Sequence, residues 1–359
     1  MKIQQNQLTS PRPARDYVQG QHAAAAPVAP SAVDDARKVS NKNFNSDSAI
    51  GLQKRVLIDN GIAVTTKICS GGQAQVFRGF NCTNGSPLAV KIVPKTRPNL
   101  DEFRRAVLVK NVTREKEILQ RIHHPNSLDF VGFIEDDENW YLVTEYLAGL
   151  DLFEEACKRS FPEKEILLIA KQIFEVLAYL HANGIAHRDV KLENVVLTKQ
   201  KGSSDVKLID YGLAFCEQFD KSTTCEDFPG TSKYKAPELV VRQPYRPQPV
   251  DVWSMGVMMF VLCCGEFPFD GKDPDAIYRN IVRKEPSFTH EFWMRISHET
   301  AHLISLLLTK DANTRPTAVD ALEMLDGILN ERVQVPATPR SRKTGFLSKL
   351  SGKLSVKIK

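Results

Sequence analysis

The stretch AHRDVKLENVVL (186–197) puts Asp189, Lys191 and Asn194 on one short loop ahead of an apolar strand. LIDYGLA (208–214) ends a second apolar run at Asp210, LAVK ends a third at Lys91, and REKEIL carries Glu115 and Glu117. Between two strand-like runs, IAVTTKI and QVFRGF, lies CSGGQAQVF (69–77), where a glycine-rich hairpin could close over a nucleotide's phosphates. A phosphate-cradling loop of the form G-x-G-x-x-G-x-V would put glycine at 69, 71 and 74; this chain has Cys69, Gly71 and Ala74. Taken singly, an Asp–Asn loop pair caps a turn and a strand lysine is solvated. Their joint presence asks for a function.

The elements that must hold these groups can be read from periodicity. From about 60 to 98, alternating apolar residues and the turn signals Asn60-Gly61, Gly71-Gly72 and Asn84-Gly85 predict antiparallel strands. Residues 101–122 have helical spacing, with Val107, Val112, Ile118, Leu119 and Ile122 apolar among charges. Two strand-like runs follow, DFVGFIE and WYLVTEYL; after Gly149 the pattern turns helical at 163–182, 249–264, 274–283, 298–309 and 317–330. A small strand-rich lobe ahead of a larger helical one is the expected α+β arrangement. Residues 1–55 are rich in Ala, Pro, Ser, Gln and Asn and read as a disordered tail, leaving a domain over 60–330 and a basic tail over 331–359.

The charge of +5 is uneven: the first 50 residues carry +2 and residues 331–359 carry +7, which leaves −4 for residues 51–330. A mildly acidic domain does not suggest nucleic-acid binding. Seven cysteines without a C-x-x-C pair suggest reduced thiols in a cytoplasmic or nuclear protein. The apolar run VMMFVLCC (257–264) is too short to span a bilayer, and no leucine-rich leader core follows Lys2.

HRDVKLEN, DYG and APE occur in the order of the H-R-D-x-K-x-x-N, D-F-G and A-P-E motifs. With LAVK, REKEIL, DVWSMG (Asp251) and NTRP (Arg315) they make seven ordered motifs, and over about 63–330 the chain resembles the eukaryotic protein kinase family. The resemblance implies a bilobal fold: an N-lobe over about 60–145, with a small antiparallel sheet and one main helix, and a mainly helical C-lobe over about 146–330. It implies phosphoryl transfer from ATP with Mg²⁺. That chemistry rests on positioning and neutralised charge. Lys91 would hold the α- and β-phosphates while paired to Glu115, which the family's spacing back from His124 selects over Glu117. Asp210 and Asn194 would hold the metal, Asp189 would accept the substrate hydroxyl's proton, and Lys191 would steady the γ-phosphate. The resemblance also places Cys69, Ser70, Gly71, Gly72, Gln73, Ala74, Val76, Ala89, Thr144, Glu145, Leu147, Asp151, Glu193 and Val196 around the nucleotide. Asp251 and the pair Glu238–Arg315 would be structural.

Lys191, with Thr231 in GTSKYKAPE, resembles serine/threonine kinases, and LVTEYLAGLDLFEEA is nearest the calcium/calmodulin- and AMP-regulated group. Asp151 and Glu193 match acids that read an arginine two or three residues before the acceptor. Lys235 stands in the segment that would meet the residue after the acceptor and leaves that preference open. Asp227 stands where many relatives carry a phosphorylated threonine, and is expected to pair with Arg188. In the tail RSRKTGFLSKLSGKLSVKIK (340–359), Phe346, Leu347, Leu350 and Leu354 fall at helical spacing among lysines. Such a segment can lie on an anionic membrane surface, bind calmodulin or dock in the kinase's own substrate groove. Protein substrates are the expected partners, and the sequence does not fix an oligomeric state. The incomplete glycine loop keeps a pseudokinase, a nucleotide-binding or scaffold module, as the alternative. A small-molecule kinase is disfavoured by APE and the Thr231 segment.

Overall fold

The computed structural model describes residues 55–71, 74–96, 101–199, 204–289 and 291–333. The expectations for the N-terminal tail, for Gly72 and Gln73, and for the basic tail beyond 333 lie outside the described residues.

Alternation and turn chemistry make the first part a sheet. β1 (Ile62–Ser70), β2 (Gln75–Asn81) and β3 (Pro87–Pro94) form an antiparallel meander. β4 (Phe130–Glu135) and β5 (Asn139–Glu145) complete the order β1-β2-β3-β5-β4. The β2–β3 turn is held by Asn81, whose side-chain oxygen accepts the N–H groups of Thr83 and Asn84 at 2.9 and 3.3 Å. Gly85 follows at φ +71°, where a side chain is disfavoured. Along β3 the period of two sends Leu88, Val90 and Ile92 into a small core with Leu57, Tyr141 and Val143, and turns Ala89 and Lys91 to the other face.

α1 (Glu102–Arg121) starts at Asp101, whose carboxylate accepts the Arg104 N–H at 2.7 Å. Leu108 and Val112 pack with Val93 of β3, while Ile118 and Leu119 join the larger core of the second lobe. Val107 does not face inward: it is 40 % exposed, and Leu108 takes the buried position.

The second lobe runs through α2 (Leu152–Lys158), α3 (Glu163–Ala182), α4 (Glu217–Asp220), α5 (Pro237–Val241), α6 (Gln248–Cys264), α7 (Pro274–Arg283), α8 (His298–Leu307) and α9 (Ala318–Val333). α6 is apolar nearly all round and buried from Val250 to Cys264, as a central core helix must be. Gly265, at φ +73°, ends it by giving its N–H to the Val261 carbonyl at 2.7 Å. α9 continues past the expected stop at 330 to Val333. Two short ladders, β6 (Ile185–Ala186) with β9 (Phe215–Cys216) and β7 (Val195–Leu197) with β8 (Val206–Leu208), hold the ends of the polar loops. All seven cysteines are free thiols, and no helix among the described residues is long and apolar enough to cross a membrane.

Arg315, ahead of α9, is fully buried and forms a two-pronged ion pair with Glu238 of α5 at 2.8 and 3.1 Å. Its three remaining N–H groups reach the Pro249, Thr309 and Lys310 carbonyls at 2.7, 3.0 and 3.4 Å. Removing one partner of such a pair leaves an uncompensated buried charge. Arg315→Ala should therefore lower stability by about 3–5 kcal/mol, read as a fall in the thermal or denaturant midpoint.

Candidate active site

The site is assembled from α6 outward. Asp251, fully buried, accepts the backbone N–H groups of His187 at 2.8 Å and Arg188 at 2.7 Å and meets His181 Nε2 at 2.9 Å. These bonds hold Arg188 at φ +62°, a left-handed conformation uncommon for a residue with a side chain. The His187 ring reaches the Ile209 carbonyl at 3.0 Å, which ties this loop to the one carrying Asp210.

Asp189 follows directly. Its Oδ2 accepts Lys191 Nζ at 2.6 Å, and its Oδ1 accepts the Thr231 hydroxyl at 3.1 Å. Lys191 also donates to Thr231 at 3.1 Å, closing a triangle. The Asn194 amide donates to the Asp189 carbonyl at 2.8 Å and to its Oδ2 at 3.1 Å. Its side-chain oxygen accepts no hydrogen bond among the described residues.

Lys91 lies opposite Val76 of β2 and Leu142 of β5 and reaches across to the helical lobe. Its amine sits 2.7 and 2.9 Å from the two Glu115 oxygens and 2.9 Å from Asp210 Oδ1. Glu117 lies instead beside Arg121, at 3.8 Å. Burial disfavours the Lys91 charge, but Asp210 and Glu115 outweigh it and raise its pKa. Lys91 in turn holds Asp210 down at about 2 against the effect of burial, so that carboxylate is ionised at any physiological pH. A Cβ on Gly212 would come within 3.3 Å of Asp210 Oδ1 and 3.5 Å of Glu115 Oε2, so the glycine keeps this trio open.

Ionised oxygen from Asp210 and amide oxygen from Asn194 are the donor types a hard divalent cation takes. The Ile209 N–H bond to the Asn194 carbonyl, at 2.9 Å, holds the two loops together. Together these residues fit a magnesium–nucleotide site, with the remaining ligands left to phosphate and water.

A sequence profile described as the protein kinase domain matches residues 62–325, nearly the whole of the described fold. The chain belongs to the protein kinase family. It is 32 % identical over 288 residues to CDPK-related kinase 7 of Arabidopsis thaliana, covering 77 % of this chain and 48 % of that one. It is 34 % identical to calcium-dependent protein kinase 5 of Plasmodium berghei (strain Anka), covering 66 % and 40 %. It is 30 % identical to the type II calcium/calmodulin-dependent protein kinase of Caenorhabditis briggsae, covering 82 % and 54 %. The chain thus spans about half the length of these curated relatives.

The other residues singled out fall on the β1–β2 hairpin, on β3 and β5, and around Asp151 and Asn194. Cys69 and Ser70 end β1 opposite Val76 and Gln75, and the Gly71 N–H closes the hairpin on the Ala74 carbonyl at 2.9 Å. β1 and β2 therefore pair up to the described edges of the loop despite its missing glycines. Burial and the nearby Asp210 push the Cys69 thiol above its usual value, which works against a reactive thiolate. Ala89 and buried Thr144 face each other across β3 and β5, Glu145 ends β5, and Leu147 follows. Asp151 caps α2 by accepting the Glu154 N–H at 2.7 Å and bridges to Val196; burial lifts its carboxyl to about 6. Glu193 is exposed on the turn before Asn194.

The kinase's activation segment, 210–238, is fastened at both ends. Arg188 (2 % exposed) grips Asp227 (64 % exposed) with two prongs at 2.6 and 3.2 Å and gives its Nε–H to the Leu213 carbonyl at 2.8 Å. Tyr245 reaches both Arg188 and the Asp227 carbonyl, at 3.3 and 2.9 Å. Burial opposes the Asp227 charge, yet its bonds to Arg188 hold that carboxyl below its usual value. Sequence reasoning missed the clasp on α1: Arg114, 7 % exposed, pairs with Asp220, 10 % exposed, and Arg121 bonds to Gln218. Partners 106 residues apart leave no local pattern to find.

Tyr211, where the family's motif has phenylalanine, is fully buried and its hydroxyl meets Ser127 Oγ at 2.7 Å. Tyr211→Phe alone should cost about 1–3 kcal/mol, because Ser127 loses its buried partner. Adding Ser127→Ala should recover part of that loss, a coupling readable from a denaturant-melt double-mutant cycle.

Proposed function

We propose that this chain is a protein serine/threonine kinase that transfers the γ-phosphate of ATP to Ser and Thr hydroxyls of protein substrates. The observation that carries this reading is the triangle of Asp189, Lys191 and Thr231 beside the trio of Lys91, Glu115 and Asp210. Asp189 offers a carboxylate to an incoming hydroxyl, orienting it and accepting its proton. Lys191, already against Asp189, supplies positive charge where the transferred phosphoryl group passes. Lys91, protonated and aimed by Glu115, meets the other phosphates. Asp210 and Asn194 are the groups that would hold Mg²⁺, which would supply positive charge to neutralise the phosphates. The incomplete glycine loop alone suggests a scaffold module without activity; against it, each charged group of this set has its partner in place.

The relatives' names point to calcium-linked regulation, and the basic tail at 340–359 is the segment proposed to receive it. Calmodulin binding, an anionic membrane surface and the chain's own groove are separated by pull-downs with and without residues 336–359. Asp151 and Glu193 are proposed to read an arginine two or three residues ahead of the acceptor.

The test is γ-phosphate transfer by the full chain to a degenerate Ser/Thr peptide library with Mg²⁺ and ATP. Asp189→Asn should lower the rate about 10²–10⁴-fold while leaving the thermal midpoint near wild type. Undiminished transfer by that variant would overturn the reading.

Asp227 gives Arg188 a counter-charge without phosphorylation, so the enzyme should be active as synthesised. Loss of one charge-assisted pair predicts that Asp227→Ala slows transfer about tenfold, with Asp227→Glu retaining most of the rate in the same assay.

A further inference from the structure

On the face of the sheet that carries Lys91, Ala89 of β3 has Arg78 of β2 and Thr144 of β5 as its register partners. Directly opposed residues of an antiparallel pair share a face, so these three side chains form one row. The methyl group of Ala89 leaves room for Arg78 to reach across β3. Its guanidinium carbon sits 4.8 Å from the centroid of the Tyr146 ring, two residues past Thr144, and 5.2 Å from that of Phe80. The Arg78 Nε is buried and has no hydrogen-bond partner among the described residues. Ring faces therefore hold this cation, and a planar guanidinium stacks on them well. The contact joins β2, which starts right after the glycine-poor loop, to the segment that follows β5.

The ladder between β1 and β2 is broken at this point. Its register shifts between Val64 and Lys67 and again between Lys67 and Cys69. At the first shift Thr65 and Thr66 stand against Arg78 alone, and the Thr65 hydroxyl donates to the Arg78 carbonyl at 3.1 Å. Such bulges interrupt the pairing and bend the strand. With glycine at one of the three pattern positions, the loop's backbone adapts less freely to a ligand, so the aim of the strands that carry it matters more. We infer that Arg78 is a positioning residue: its stack on Tyr146 clasps the β1–β2 pair to the segment after β5 and thereby sets the affinity for ATP. This rests on the kinase reading above. A weaker hold felt equally before and during transfer raises KM and leaves kcat in place.

The experiment has two readouts on the full chain: calorimetric titration with Mg²⁺–ATP, and KM for ATP in the peptide-transfer assay. Arg78→Ala should weaken ATP binding and raise KM about tenfold, with kcat near wild type. Arg78→Lys keeps the charge but loses the planar stack, and should fall between the two. Tyr146→Leu should weaken binding to a similar extent. Combined with Arg78→Ala it should cost little more, because both changes remove one contact. A smaller folded fraction in a variant lowers the apparent kcat and leaves KM alone, so it cannot imitate this result. ATP affinity unchanged in Arg78→Ala would overturn the inference alone, as would a double variant whose fold-loss is the product of the two single ones. ATP binding without transfer to any peptide would overturn the kinase reading alone, and no ATP binding by the wild type would overturn both.

Discussion

A guanidinium that is 2 % exposed sets the terms for the rest of this structure. Arg188 cannot lose its proton, and a buried cation is tolerated only if paired and hydrogen-bonded. Its backbone is taken by Asp251, its Nε by the Leu213 carbonyl, and its two terminal nitrogens by Asp227. Each partner comes from a different segment, so satisfying one charge draws together α6, the loop of Asp210 and the middle of the activation segment. Once Arg188 is satisfied, the position of Asp189 follows, because it is the next residue on a loop whose backbone has no slack.

The same logic of charge seeking charge places α1. Glu115 faces Lys91 of the sheet, and its neighbour Arg114 faces Asp220 of the activation segment. Adjacent residues on a helix point about 100° apart, so one turn of α1 is held from two directions at once. A displaced activation segment would release Arg114, and with it the aim of Glu115. In this way the segment's order reaches Lys91 without touching it.

The chemistry of this protein was legible in its sequence where it resides in short motifs. Lys91 and Asp210 each end an apolar run, Asp189 and Asn194 stand on a loop ahead of one, and ordered motifs single them out together. The main helices were legible from spacing for the same reason: a face repeats within a few residues. What could not be read depends on contacts far apart in the chain. The DYG motif shows the Tyr211 hydroxyl but not its partner, because Ser127 lies 84 residues away. Apolar spacing marked Val107 without telling it from Leu108, because the phase of a helix is set by what it packs against.

The bond between Lys91 and Asp210 closes a span of 119 residues, and that between Arg315 and Glu238 closes 77. Contacts of such separation carry a larger loop-closure cost than those within the local meander and helices. A finished five-stranded sheet carries Lys91 but still lacks Asp210, which comes 119 residues later. The site is therefore complete only when the sheet, the loop of Asp210 and the segment ending at Glu238 are all in place.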